Sequence, residues 1–162
     1  MYKIELLSNY DIVEICKWLQ IPLIDVVNKD LLLNMKPKTG CYVVNLENSG
    51  NGGTHWVALI LNEKYVSYYD SFGLRGPEYI REFISRYITK PIDTIYSCQQ
   101  TQAIESVLCG YFCIYWLYFH LVLHSKNHNN KYLMSKFNKI FNPNYRKLND
   151  RILQKLIKNI ML

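Results

Sequence analysis

The chain has 162 residues, of which 49% are hydrophobic and 20% are charged. This length suffices for one domain with a sizeable core, and we predict a single domain over residues 1–162. Seven Gly and five Pro exclude a collagen-like or low-complexity protein. The 14 Tyr, 6 Phe and 3 Trp residues are too many for a disordered chain.

The cysteines indicate the redox environment. Five is an odd number, and the chain starts without an apolar secretory segment, so we expect free thiols in a reducing, intracellular compartment. The longest apolar run, residues 109–123, carries His120 and is too short to span a bilayer. We predict a buried helix there and no membrane partner.

The net charge of +6 is unevenly distributed. Residues 1–119 carry 10 Lys and Arg against 12 Asp and Glu, whereas residues 120–162 carry 9 Lys and Arg against the single acid Asp150. This basic C-terminal region fits a solvated surface, which is the commoner case, or an electrostatic footprint for a polyanion such as DNA.

Hydrophobic periodicity and turn residues define the secondary structure. Pro22 ends the first helix, and we expect an irregular stretch after it. In chain order, the pattern predicts a helix at 9–20, a short helix near 30–35, strands at 41–46, 55–61 and 65–69, a helix at 77–88, a strand at 93–97, the buried helix from 109, and basic amphipathic helices at 130–140 and 148–161. This order predicts an α+β fold with helices packed on a mixed sheet.

A hairpin between the second and third strands would place a histidine beside an acid. With a two-residue turn at positions 62–63, His55 lies directly opposite Asp70, with Cβ atoms about 4.5–5.5 Å apart. An acid beside a histidine is the arrangement that a catalytic base needs. Taken singly, His55 fits a satisfied strand-end histidine, and Asp70 fits a turn residue.

Cys109 precedes Gly110 at the predicted N-terminus of the buried helix. Free backbone N–H groups and the positive end of the helix dipole favour a thiolate there and can hold an oxyanion. Cys113, one turn later, fits a small buried hydrophobe, and Cys98, in a loop, is the alternative reactive thiol. A zinc site is disfavoured because the cysteines lack the paired spacing of zinc ligands.

Three blocks follow one another in the sequence: Gly53-Thr54-His55-Trp56-Val57, Tyr69-Asp70-Ser71-Phe72-Gly73, and Gln102 followed by Cys109-Gly110-Tyr111-Phe112-Cys113. In this order they resemble the adenovirus maturation protease (adenain) family. The likeness is closer still to the adenain-like cysteine proteases of virophages and of Polinton or Maverick elements. It covers residues 41–117, roughly half of the chain.

The resemblance implies a papain-like fold of the adenain and ubiquitin-like-protease type. It implies that His55 is the general base, Asp70 the orienting acid and Cys109 the nucleophile. Gln102 would complete the oxyanion hole with the backbone N–H of Cys109, because the adenoviral pattern also has a glutamine seven residues before the cysteine. Two nearby glutamines are alternatives for that role, Gln99 and Gln100.

Two positions depart from the patterns of known relatives. Asp70 stands where the adenovirus enzyme has Glu, so its shorter carboxylate must come from a closer backbone position. Leu108 stands where the cellular proteases that process SUMO usually have Asp, which argues against the cellular branch.

The resemblance also implies an activity. It predicts a cysteine endopeptidase that cleaves capsid or other virion precursors after small residues such as Gly, in the virion or at the host-cell site of virus assembly. We expect a monomer with no required cofactor and no metal, and stimulation by DNA or a viral peptide stays open. Trp56 and Gly53 are candidate walls of the substrate groove, with a core position as the alternative for Trp56.

Two other functions compete with this one. The first is an isopeptidase or processing protease for ubiquitin-like modifiers, which would use the same residues. The second is an inactive, basic nucleic-acid-binding or capsid scaffold protein, but the intact set of candidate site residues argues against it. In the favoured interpretation, the catalytic motifs occupy residues 53–113 of one protease domain, and residues 120–162 form a basic helical region available to viral DNA.

Overall fold

A computed structural model describes residues 5–52 and 55–162. Its centre is a five-stranded mixed sheet in the order β1-β2-β3-β4-β5. The outer pairs β1/β2 and β4/β5 are parallel, and the inner pairs β2/β3 and β3/β4 are antiparallel. The strands are β1 (Leu23–Asn28), β2 (Gly40–Asn45), β3 (Trp56–Leu61), β4 (Tyr65–Tyr69) and β5 (Asp93–Tyr96).

Helices cover both faces of this sheet, because alternate residues of β2 and β3 bury their side chains on opposite faces. Two helices, α2 and α3, pack on one face, and α1, α4, α5 and α6 contribute to the core on the other. The helices are α1 (Asn9–Trp18), α2 (Lys29–Asn34), α3 (Glu78–Tyr87), α4 (Cys109–Tyr118), α5 (Asn130–Asn138) and α6 (Arg146–Ile160). The α+β fold with a mixed, helix-flanked sheet predicted from the sequence is therefore confirmed.

The buried helix is α4, in which every residue from Cys109 to Leu117 is buried. A helix that is apolar all round must be enclosed, and α4 lies between the sheet and helices α1 and α6. Beyond Tyr118 the chain continues as a π-helical segment, Phe119–Leu123, in which His120 is buried. Among the described residues, no helix is long and apolar enough to cross a membrane.

The prediction of an irregular stretch after Pro22 is wrong, because β1 occupies these residues. β1 lies at the edge of the sheet, and its side chains are only partly buried, so the alternation of apolar and polar residues is weak. The adjacent Val26 and Val27, both β-branched, were the available signal for a strand.

The predicted hairpin register is also wrong. Ala58 pairs with Tyr69 and Leu61 with Val66, which is two residues out of step with a turn at positions 62–63. The Asn62 backbone N–H donates to the Tyr65 carbonyl at 3.1 Å, so the turn lies one residue later, at positions 63–64. The Asn62 side chain favours this placement, because its Oδ1 accepts hydrogen bonds from the backbone N–H groups of Lys64 and Tyr65, at 2.8 Å each. A shift of two residues keeps every side chain on its original face, so His55 and Asp70 still lie near each other, diagonally instead of directly opposite.

Candidate active site

His55 and Asp70 meet where β3 begins and β4 ends. The Nε2 atom of His55 lies 2.7 Å from Oδ1 of Asp70, which is hydrogen-bond distance. The Asp70 carboxyl is almost completely buried, whereas the His55 side chain is 12% exposed. The carboxylate therefore fixes one ring nitrogen and leaves Nδ1 for another partner.

The turn after β4 holds Asp70 in place. Its Oδ1 also accepts a 2.8 Å hydrogen bond from the Phe72 backbone, and its own N–H donates to the hydroxyl of buried Ser97. Gly73 closes the turn with φ of +69°, and a Cβ there would lie 2.6 Å from the backbone N of Gln100. Only glycine fits this position, because the φ and the close approach both exclude a side chain.

The Phe72 ring stacks on the imidazole of His55, with ring centroids 4.6 Å apart and planes inclined by 23°. The ring therefore covers one face of the base and restricts its rotation. Sequence reasoning missed this contact, although the observed register, extended by three residues, brings Phe72 opposite His55.

Cys109 begins α4, and its thiol interacts electrostatically with the imidazole of His55. The residue is only 3% exposed. Gly110 lets the start of α4 pack closely on its neighbours, since a Cβ there would lie 3.2 Å from the Leu7 side chain and 3.3 Å from Trp56. The structure thus brings together the three residues that the sequence analysis assigned as base, acid and nucleophile.

The electrostatics of His55 favour its charged form. Burial is the largest single influence and lowers the pKa of the ring, but the hydrogen bonds and charges of Asp70 and Cys109 together raise that pKa to about 9. The imidazole therefore carries a proton at neutral pH, and it can balance a thiolate at Cys109.

Gln102 lies buried in the loop before α4. Its Nε2 donates to the Ser106 carbonyl at 2.6 Å, and its Oε1 accepts from the Ser71 hydroxyl, also at 2.6 Å. Since a carbonyl can only accept, Ser106 fixes the orientation of the amide and leaves the second Nε2 hydrogen for another acceptor. Both alternative glutamines bond elsewhere: Gln99 to the Asn138 carbonyl and Gln100 to that of Gln102.

The two candidate groove residues fare differently. Trp56 lies in the core, and its indole N–H donates to the Leu7 carbonyl at 3.1 Å. The side chain therefore packs against the start of α4. This is the core position that the sequence analysis gave as the alternative for Trp56, and the side chain is not an exposed wall of a groove. Gly53 lies outside the described residues.

The other four cysteines differ from Cys109 in their surroundings, and all five are free thiols. Burial raises the pKa of Cys16 to about 12, and it also raises the pKa values of Cys41 and Cys113. The Cys113 thiol donates a hydrogen bond to the Trp56 carbonyl, which fits a small residue of the core. Cys98 is exposed, and it has no hydrogen bond to a histidine among the described residues.

A family comparison and a fold comparison bear on this site. The family model described as adenovirus endoprotease matches residues 31–160. The chain belongs to the adenovirus endoprotease family. Membership confirms the resemblance seen in the sequence and assigns the chain to a family of cysteine-type peptidases.

Solved structures show the same fold as this member of the adenovirus endoprotease family. The ASFV pS273R protease is 16% identical to this chain, with a TM-score of 0.56. The match covers 82% of this chain, but this chain spans only 65% of that protein's length. The central domain of an uncharacterized Legionella pneumophila protein, Lpg1148, is 12% identical, with a TM-score of 0.54 over 98% of this chain and 97% of that one. No curated protein matches the sequence significantly.

The family resemblance assigns Gln102 to the oxyanion hole, so replacing it with Ala is expected to lower kcat for peptide cleavage by about 10²–10³-fold. Steady-state kinetics on a fluorogenic peptide would measure this. Gln99→Ala is the matched control, since its amide bonds to Asn138. Equal losses in the two variants would remove Gln102 from the oxyanion hole.

Proposed function

We propose that this protein is a cysteine endopeptidase that cleaves capsid or other virion precursor proteins during particle maturation. The observation that carries the proposal is the arrangement of His55 between the Asp70 carboxylate and the Cys109 thiol. Membership of the adenovirus endoprotease family supports the viral setting. The proposed place of action is the virion or the site of its assembly, with the protein as a monomer.

The proposed reaction uses these residues in the roles that the family resemblance assigns to them. The Cys109 thiolate attacks the scissile carbonyl carbon, while the backbone N–H of Cys109 and the free Nε2 hydrogen of Gln102 stabilise the oxyanion. Protonated His55 gives its proton to the leaving amine as the C–N bond breaks, which leaves an acyl thioester. His55, now neutral, takes a proton from water, the resulting hydroxide releases the acid, and the thiolate returns.

Burial of the site supports cleavage after a small residue such as Gly. Cys109 is only 3% exposed, so its thiol is covered on most sides. Glycine, which presents only backbone, is the scissile residue that reaches such a covered thiol most easily.

The test is incubation of the purified protein with the major capsid precursor, with mass spectrometry of the products. New termini after small residues in the wild-type reaction, absent with Cys109→Ala, would support the proposal. A ubiquitin-like precursor in a parallel reaction covers the isopeptidase alternative. Products from that substrate alone, or from neither, would contradict the maturation role.

The basic C-terminal region supports a second part of the proposal, contact with viral DNA. Four cationic residues recur every three or four positions along α6, and all are exposed: Lys147, Arg151, Lys155 and Lys158. Such spacing places them on one side of the helix, where they form a continuous positive stripe. A stripe of this kind fits a row of phosphates.

DNA binding through this stripe is expected to weaken steeply with salt. The logarithm of the association constant should fall with log salt, with a slope of about −0.9 per phosphate contacted. Fluorescence anisotropy with a mixed-sequence duplex measures it. Replacing Lys155 and Lys158 together with Gln should make the slope shallower by about two, whereas the control pair Lys17→Gln and Lys90→Gln should not. A slope near zero would leave the charge as a solvated surface.

A further inference from the structure

The loop that carries Gln102 is bound to two consecutive residues of α6. Residue 149 contacts the residue before Gln102, and residue 150 contacts the residue after it. The Asn149 side chain donates to the Thr101 carbonyl at 3.0 Å, and the Asp150 carboxylate accepts from the Ala103 backbone N–H at 3.5 Å. The glutamine is therefore held on both sides by one helix that follows it by more than 40 residues in sequence.

Asn149 is completely buried, and its amide is fully used. Besides the bond to Thr101, its Nδ2 donates to the Asn142 carbonyl at 2.8 Å, and its Oδ1 accepts from the Asn142 N–H at 2.7 Å. A buried amide with every partner in place has one stable position, because any displacement leaves polar groups unpaired.

Asp150 reaches further along the same loop. Its carboxylate also interacts electrostatically with the side chain of Ser106, the residue whose carbonyl accepts from Gln102 Nε2. The Ser106 hydroxyl in turn accepts a hydrogen bond, 3.3 Å long, from the backbone N–H of Leu108. Leu108 is the residue directly before Cys109. One carboxylate thus contacts the loop at both ends of the Gln102 side chain.

The nearby ion pair of Lys147 with Glu105 is a different kind of contact. Its atoms are 3.0 Å apart, but both side chains are mostly exposed. Exposed pairs contribute little to stability, so the buried contacts of Asn149 and the part-buried contact of Asp150 carry the connection.

We propose that Asn149 and Asp150 are positioning residues that set the Gln102 amide in the oxyanion hole. This inference rests on the proposed function, since it assigns α6 a part in the same reaction. It predicts that loss of either side chain lowers kcat and leaves KM nearly unchanged, because the substrate ground state makes no use of the oxyanion contact.

The test measures kcat and KM of the full-length chain with Asp150→Ala. We expect kcat to fall about tenfold or more, since small misplacements of catalytic groups cost up to about 10²-fold. Asp150→Asn should restore most of the rate, because its side-chain oxygen can still accept from Ala103 and Ser106. Asn149→Ala is the second variant, and Asn159→Ala, exposed on the same helix, is its matched control.

A double-mutant comparison separates positioning from general destabilisation. In a Gln102→Ala background, Asp150→Ala should cause no further loss of kcat, because its route of action is already gone. Fully additive losses, or an unchanged kcat in both Asp150→Ala and Asn149→Ala, would overturn the inference.

A second readout keeps this inference separate from the proposed function. The Gln102 side-chain amide signals in a ¹⁵N NMR spectrum, identified by their loss in Gln102→Ala, should shift in Asp150→Ala and stay in place in Asn159→Ala. Unmoved signals in Asp150→Ala would overturn the positioning role even if the wild type cleaves its substrate. Cleavage that persists in Cys109→Ala would overturn the proposed function instead.

Discussion

Replacing His55 with Ala should reduce kcat/KM for peptide cleavage by about 10³-fold or more, as loss of a triad member does in other hydrolases. The imidazole interacts with the Cys109 thiol and is the base assigned to it. Without that ring, the thiol loses its base, and the leaving amine loses its proton donor. Low-dose alkylation of Cys109 at neutral pH, located by mass spectrometry, should slow in parallel.

His128→Ala is the matched control for this change, because His128 is exposed. Both rates should stay at the wild-type level in that variant. If His55→Ala kept its alkylation rate while losing cleavage, His55 would act on the substrate and not on the thiol. If both rates survived, the site would lie elsewhere, and exposed Cys98 would be the first thiol to test.

Replacing Asp70 with Asn should also have a large effect, a loss in kcat of up to about 10⁴-fold, as with the orienting acid of a serine protease. The bond to Nε2 would then be made by a neutral amide, which holds the ring less firmly. The substitution would also change the pH profile of kcat/KM. Asp70 helps raise the His55 pKa to about 9, so removing its charge lowers that pKa.

The direction of the pH shift follows from the proton that His55 donates. In the wild type, kcat/KM should decline as pH rises through about 9, where the imidazolium is lost. In Asp70→Asn the decline should begin at lower pH. The matched control is Asp93→Asn, at an exposed position in β5, which should keep the wild-type profile. An alkaline limb that stays in place in Asp70→Asn would contradict the assigned role of the acid.

The sequence predicts an element well where a single hydrophobic period dominates its residues. β4 begins and ends at the predicted residues, and α4 begins at Cys109 as expected, because turn residues and a strongly apolar run mark these boundaries. The sequence pattern did not predict β1, because an edge strand need not alternate apolar and polar residues. The hairpin register was not predicted correctly, because one side chain, Asn62, favours a turn one residue later in the chain.

The site shows the same division. His55, Asp70, Gln102 and Cys109 stand out as residue types at motif spacing, and the structure brings His55, Asp70 and Cys109 together. The contacts of Phe72, Ser71 and Asp150 were not predicted, because they join segments that are distant in the sequence. Serine after aspartate has ordinary turn chemistry, and only the fold shows that Ser71 donates to Gln102.

The order of the site residues along the chain has a consequence for biosynthesis. His55 and Asp70 come from one hairpin, separated by 15 residues, so their contact can form soon after that hairpin is made. The loop around Gln102 waits for Asn149 and Asp150. Because the ribosome makes the chain from its N-terminus, that loop lacks these partners until α6 has emerged, and the nascent protein holds its acid and base before its oxyanion loop is complete.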